Sequence, residues 1–164
     1  MVHTKLRRQQ VSDAKRFYEI LSNPNFIYWT TKPKSVADER RWLLNNTGKK
    51  RKNTDHNFSI ICAGCLVGAA GIKIYPHTPY IGEIGYFVDE AYWGKGIAPQ
   101  AVRILEKIGF SKLGLVRIEI RMNIKNKASE MVAIKAGYKK EGLLRKAFKH
   151  GDKYIDEYLY AKVK

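Results

Sequence analysis

From Ile81 to Val88 the chain is rich in β-branched, aromatic and glycine residues, and Asp89-Glu90-Ala91-Tyr92-Trp93-Gly94-Lys95-Gly96 follows. Beyond the second glycine, Ala98, Ala101, Val102, Leu105 and Ile108 fall on one face of a helix that runs out near Leu113-Gly114. Val116, Ile118, Ile120 and Met122 then alternate with Arg117, Glu119 and Arg121, as a strand with one apolar face should. A strand that turns through a short glycine loop into a helix, and returns as a strand, constrains the fold more than any other feature here. Two strands joined by a crossover helix lie parallel, and such crossovers are right-handed.

The rest of the sequence fits around this unit. Ser12 and Asp13 offer a helix cap ahead of Ala14, Phe17, Tyr18, Ile20 and Leu21, and Asn23-Pro24 ends that helix. Ser35 and Asp38 resemble a capping box before a second helix in which Val36, Arg40, Trp42, Leu43 and Leu44 lead toward Asn45-Asn46-Thr47-Gly48. Between the two helices, Phe26 to Thr31 reads as a strand or as a loop lining. Phe58 to Cys62, Leu66 to Tyr75 and Ile81 to Val88 form an antiparallel meander broken at Gly64 and at Pro76-His77-Thr78-Pro79. Asn126 caps a further helix to Ala136, Gly137 ends it, and Tyr138 to Gly142 and Tyr154 to Lys162 supply closing strands. The expected fold is a mixed α/β (α+β) single domain over 1–164 with a mostly antiparallel sheet.

Composition narrows the function classes. The longest apolar run, Ile60 to Ile72, is shorter than the roughly 18 residues a membrane helix needs, and the first residues lack a leader-like apolar stretch, so a cytoplasmic location is expected. Thirty-one Lys and Arg against 15 Asp and Glu give a formal charge of +16, which favours phosphorylated cofactors, nucleic acid, a ribosome or acidic peptides. Gly48-Lys49-Lys50-Arg51-Lys52-Asn53 concentrates that charge, either as a phosphate-facing segment or as a solvated loop tip. Cys62 and Cys65 have no second cysteine pair, and His3, His56, His77 and His150 lack ligand spacing. We therefore expect no metal, and read Cys62-Ala63-Gly64-Cys65 as a tight turn between two strands.

Trp93-Gly94-Lys95-Gly96-Ile97-Ala98 lies where chemistry can sit. Small residues let the backbone approach a ligand, and the free amides at a helix start, with its dipole, hold phosphate oxygens. Taken alone, this glycine pair is equally an ordinary turn. It is not a nucleotide P-loop, because no Gly-Lys-Ser/Thr ending follows.

Taken together, Ile84-Gly85-Tyr86-Phe87-Val88, Tyr92 to Ala98, Asn126-Lys127-Ala128-Ser129 and Ala136-Gly137-Tyr138-Lys139-Lys140-Glu141-Gly142 resemble the GCN5-related N-acetyltransferase (GNAT) family, in its order and spacing. The similarity is to the RimJ/RimL-like branch that acetylates ribosomal-protein N-termini. The resemblance covers roughly residues 57 to 162 and implies the GNAT fold, with a splayed parallel pair. It further implies acetyl-coenzyme A as co-substrate, with pantetheine on the backbone of Phe87 and Val88, pyrophosphate on amides from Gly94 through Lys95, Gly96 and Ile97 to Ala98, and Trp93 among the cofactor-binding residues. Asn126 and Ser129 match the family's Asn-x-x-Ser, although both are also ordinary capping residues. Trp93 stands where glutamine or arginine is frequent, and Pro99 removes one amide from the helix start.

Acetyl transfer to an amine needs a proton acceptor, a donor to the oxyanion and a proton for the departing thiolate. Glu83, on the same strand face as Gly85 and Phe87, is the base candidate; pairing with a lysine or Arg121 is its alternative role. Ser129 is the acid candidate, with Tyr138 a second choice, and the Val88 amide is the oxyanion donor by analogy. The expected acceptor is a protein or peptide α-amino group. A small-molecule amine remains open. So does a non-catalytic nucleic-acid or ribosome-binding module supported by the basic run and by Tyr28, Trp29, Tyr154 and Tyr158. Monomer and homodimer both remain open.

Overall fold

The computed structural model describes residues 3–29, 31–51 and 53–164, without the side chains of 47–51. Its elements are β1 (Thr4–Arg8), α1 (Ala14–Leu21), α2 (Val36–Arg51), β2 (Asp55–Cys62), β3 (Cys65–Ile74), β4 (Ile81–Val88), α3 (Ile97–Lys112), β5 (Arg117–Asn123), α4 (Lys127–Lys135), β6 (Lys139–His150) and β7 (Lys153–Val163). They build one seven-stranded sheet in the order β1-β2-β3-β4-β5-β7-β6. Every neighbouring pair is antiparallel except β4 and β5, the pair that the glycine loop and crossover helix predict.

Local signals explain most boundaries. Ala63 and Gly64 both have positive φ, 48° and 80°, the conformation of a two-residue hairpin turn, and they place Cys62 opposite Cys65 across it. The Ser35 hydroxyl accepts the Asp38 N–H at 3.1 Å and starts α2. That helix continues past Asn45-Asn46-Thr47-Gly48 to Arg51, beyond where its turn-forming residues suggested a stop. The basic side chains of the 48–53 run, Lys49 to Lys52, lie outside the described residues. Phe26 to Trp29 forms turns rather than a strand. Val116 precedes β5 and is exposed, so the apolar face of that strand begins at Ile118.

Two apolar layers flank the sheet. On one face Ile72, Ile84, Val88, Ile118 and Ile120 pack under α3 through Ile97, Val102 and Leu105. On the other, Ala69 and Phe87 meet Phe17, Ile20 and Leu21 of α1, Leu43 of α2 and the ring of Phe26. Phe87 lies edge-on to Phe17, with ring centroids 5.6 Å apart.

Asp13 does not cap α1 with its side chain. Its buried carboxylate instead accepts hydrogen bonds from Arg7 (2.8 Å), the Ser59 hydroxyl (2.7 Å) and the Gln10 N–H (2.9 Å), tying α1 to β1 and β2. Burial alone would raise this carboxyl, but those hydrogen bonds and the Arg7 charge outweigh it and hold it below its ordinary value. A depressed folded value gives stability that is present above the unfolded value and is lost as pH falls through the folded one. Asp13→Asn should therefore cost about 3 kcal/mol near pH 7. Urea unfolding should show the gap to the parent narrowing toward pH 3, and a constant gap would remove Asp13 as the titrating group.

Candidate active site

The site begins where β4 leaves β5. The two strands pair only from Ile81↔Arg117 to Glu83↔Glu119, after which β5 follows β7 and β4 runs on alone on that side. The Tyr80 carbonyl accepts the Val116 N–H on the β5 side, whereas the Asp89 N–H donates to Val67 on the β3 side. Alternation along β4 therefore aims the backbone groups of Tyr86 and Val88 into the gap. Phe87, expected to offer its backbone there, turns those groups toward β3 and lines the gap by position only.

The glycine loop is held at the end of this gap by named contacts. Asp89 pairs with Arg16 of α1 and accepts the Ala91 N–H at 3.1 Å. The side-chain amides of Asn23 and Asn25 donate to Glu90 at 2.6 and 2.7 Å. The Trp93 indole N–H donates to the Val88 carbonyl at 2.6 Å, and its ring packs on Phe26 at 5.6 Å. Gly94 and Gly96 adopt φ of 73° and 75°, and a side chain at either would be strained although open space surrounds both. Among the described residues no backbone carbonyl accepts the amides of Gly94, Lys95, Gly96, Ile97 or Ala98. These free donors at the start of α3 form a cradle for an anion. Pro99, at the third helical position, removes an amide that would itself lack a helical partner. Lys95 lies over the Tyr92 ring at 4.9 Å.

A cleft of about 660 Å³ opens from this cradle, lined by Tyr28, Tyr86 to Val88, Trp93, Gly94, Gly96 to Pro99, Asn126 and Ser129. It thus gathers the expected cofactor residues apart from Lys95. Asn126 caps α4, its side-chain oxygen accepting the Ser129 N–H at 3.1 Å, and it lines the cleft as well.

A second pocket of about 590 Å³ lies on the α1 and α2 side and includes Glu83, Gly85, Asp38 and Glu39. Trp29, Tyr86 and Phe87 line both spaces. Glu83 is therefore in the second pocket and Ser129 in the first, with Tyr86 between them. Open space around Gly85 leaves this part of β4 uncovered. Glu83 accepts the Tyr75 hydroxyl at 3.2 Å and lies 3.8 Å from Arg121. Its cross-strand neighbour Glu119 is buried at 7% exposure and held by Arg117 (2.7 Å) and Arg121 (2.9 Å). Tyr138 lines neither space: it is 4% exposed, and its hydroxyl has no partner among the described residues. Burial and the nearby Glu106 charge raise its phenol well above the ordinary value.

The sequence reading missed Tyr86 as a functional side chain. Its hydroxyl lies 2.8 Å from that of Ser129, and either can donate. Burial pushes the Tyr86 phenol up to about 12, with the Ser129 hydrogen bond acting in the opposite direction, so it stays protonated at neutral pH. The only sequence signal was its position: one residue after Gly85, on the strand face opposite Glu83.

Several aromatics proposed for base stacking are engaged elsewhere. Tyr28 donates to the Lys125 carbonyl at 3.0 Å, Trp29 packs on Phe87 at 5.0 Å, and Lys140 covers Tyr158 at 3.0 Å. Tyr154 is exposed. Among the described residues no His, Cys, Asp and Glu cluster could hold a metal ion, and no helix is long and apolar enough to cross a membrane.

The chain matches the acetyltransferase (GNAT) domain family over residues 3–139. It is 29% identical over 163 residues to an uncharacterized N-acetyltransferase, p20, of Bacillus licheniformis, covering 97% of this chain and 92% of that one. It is 29% identical over 137 residues to the ribosomal-protein-serine acetyltransferase of Escherichia coli, covering 84% and 76%. The microcin C7 self-immunity acetyltransferase MccE, solved with acetyl-CoA and AMP, superposes with a TM-score of 0.89 at 22% identity, over 98% of this chain and 92% of that one.

Gly96→Val places a β-branched residue at a left-handed position in the amide cradle. Calorimetric titration should show acetyl-coenzyme A binding weakened by about tenfold or more, in line with 1–3 kcal/mol of backbone strain. An unchanged Kd in folded protein would take the phosphate site away from this loop.

Proposed function

The chain belongs to the acetyltransferase (GNAT) family, and on that footing we propose that it transfers the acetyl group of acetyl-coenzyme A to a protein or peptide α-amino group. One observation carries the reading: two spaces on opposite sides of β4 meet at Trp29, Tyr86 and Phe87, one ending in free helix-start amides and the other open at Gly85. A phosphorylated donor fits the first, because unpaired N–H groups at a helix start favour anions. An amine approaching from the second reaches the same stretch of β4. The likeness to a ribosomal-protein-serine acetyltransferase supports a protein acceptor, and the +16 charge suits one held on a ribosome.

Acetyl-coenzyme A supplies the thioester, and the chain's own residues position it and move protons. Amides of Gly94 to Ala98 hold the phosphates. The Trp93 indole occupies the Val88 carbonyl and so fixes the strand end whose N–H is aimed at the gap, where it serves as oxyanion donor. The hydroxyl pair of Ser129 and Tyr86 delivers a proton to the leaving sulfur, Tyr86 being the hydroxyl-bearing residue that lines both spaces. Glu83 receives the amine proton through ordered water in the space beside Gly85.

Titration with acetyl-coenzyme A, dephospho-coenzyme A and ATP tests the donor assignment, and folded protein that binds none of them overturns the reading. Thiol release with peptide and small-amine acceptors tests the acceptor class, preference for small amines being the contrary result. Tyr86→Phe and Glu83→Gln should each lower kcat by about 10²-fold or more, the usual contribution of a positioned acid or base, with coenzyme A affinity nearly intact. Turnover unchanged by either substitution removes that side chain from the mechanism.

A further inference from the structure

Glu39 is the one carboxylate in the second pocket that no other described residue answers. Six charged side chains line that pocket: Lys32, Lys34, Asp38, Glu39, Lys73 and Glu83. Asp38 pairs with Arg41, Glu83 accepts from Tyr75 beside Arg121, Lys32 donates to the Asn23 carbonyl, Lys73 lies over the Tyr75 ring and Lys34 is exposed. Glu39 is 7% exposed and its carboxylate has neither a hydrogen bond nor an ion pair among the described residues. Burial alone raises its carboxyl above the ordinary value. A place near the start of α2 eases a negative charge there, yet the helix dipole does not replace a counterion. A carboxylate on a mostly buried residue, lining a cavity with no cation among the described residues paired to it, is a receptor for a cation that enters that cavity.

We propose that Glu39 anchors a second cationic nitrogen of the acceptor, so that the preferred substrate carries one positive group besides the amine that is acetylated. The inference rests on the transferase reading above and adds a substrate class to it. Two kinds of molecule present this chemistry, a diamine and a peptide whose basic side chain follows a free N-terminus. In either, the reacting amine lies beside Gly85 and the remaining cation on Glu39. The net charge of the whole chain opposes cations only on average, because a pocket-lining carboxylate acts at contact distance while most surface lysines act across solvent.

Matched acceptor pairs test this: n-butylamine against 1,4-diaminobutane, and serine-initiated tetrapeptides with alanine or arginine at the third place. The parent protein should favour the dicationic member of at least one pair by about tenfold or more in kcat/KM, as expected when a buried charge gains its partner. Which pair shows the preference identifies the source of the cation. Glu39→Gln should abolish the preference by raising KM for the dicationic member far more than for the monocationic one, and leave the thermal midpoint equal or higher, since an unpaired charge is removed. Equal use of both members by the parent, preference retained in Glu39→Gln, or a fall in kcat for all acceptors alike overturns the inference. Protein that binds acetyl-coenzyme A normally, yet neither acetylates nor binds any dicationic member, overturns it too and leaves the donor assignment standing. Loss of acetyl-coenzyme A binding itself refutes the transferase reading instead.

Discussion

The short parallel contact between β4 and β5 governs this molecule. Backbone N–H and C=O groups inside a sheet must find partners, so a strand that leaves its neighbour carries a cost unless something else answers its polar groups. Here pairing stops at Glu83↔Glu119, and β4 continues to Val88 with one edge open. The Trp93 indole answers the Val88 carbonyl, and the remaining gap-facing groups are available to a ligand. The opening is kept by what lies on either side. α3 packs on Ile84 and Val88 from one face, and the Phe17, Phe26 and Trp29 rings hold Phe87 from the other. A bound donor extended along this edge would complete the hydrogen bonding that β5 abandons, which is a physical reason for the cleft to sit here.

The fold was readable where local chemistry and burial agree. Ile81 to Val88 lies at the predicted bounds because each end meets a turn signal, and Ala63-Gly64 makes its hairpin because only a few residue types adopt two positive φ values in succession. The sequence pattern of β6 ends at Gly142, but the strand extends to His150. Its outer part, through Arg145, Lys146 and Lys149, is exposed and has no alternating burial to detect; pairing with β7 makes it a strand. α2 passed its apparent stop for a related reason. Asn45 and Asn46 are weak breakers, and the Asn46 side chain donates to Gln9 at 2.9 Å instead of terminating the helix.

In the site, readability divides by chemical type. The anion cradle is made of backbone amides and two left-handed glycines, features that leave a compact sequence trace. The dyad of Tyr86 and Ser129 joins residues 43 positions apart, and nothing local marks the tyrosine as more than an apolar strand residue. Glu83 and Tyr138 stand out in the sequence only by position along the motif, and the fold separates them: one lines the second pocket and the other is buried. Glu39 left no trace at all, because a glutamate in the first turn of a helix is an ordinary solvent-facing residue unless the sheet packs over it.

The same division explains how the two sides of β4 can vary. A cradle of main-chain N–H groups tolerates changes of side chain, so Trp93 and Pro99 can depart from the commoner pattern without removing it: the tryptophan bonds the strand end, and the proline takes a position whose amide has no helical partner. Among the described residues the second pocket has no such backbone frame. Its walls are side chains from α1, α2, the loop before α2 and strands β2 to β4, and a single substitution there changes charge or shape directly. How freely each side of β4 can vary thus follows from which atoms, main chain or side chain, face each space.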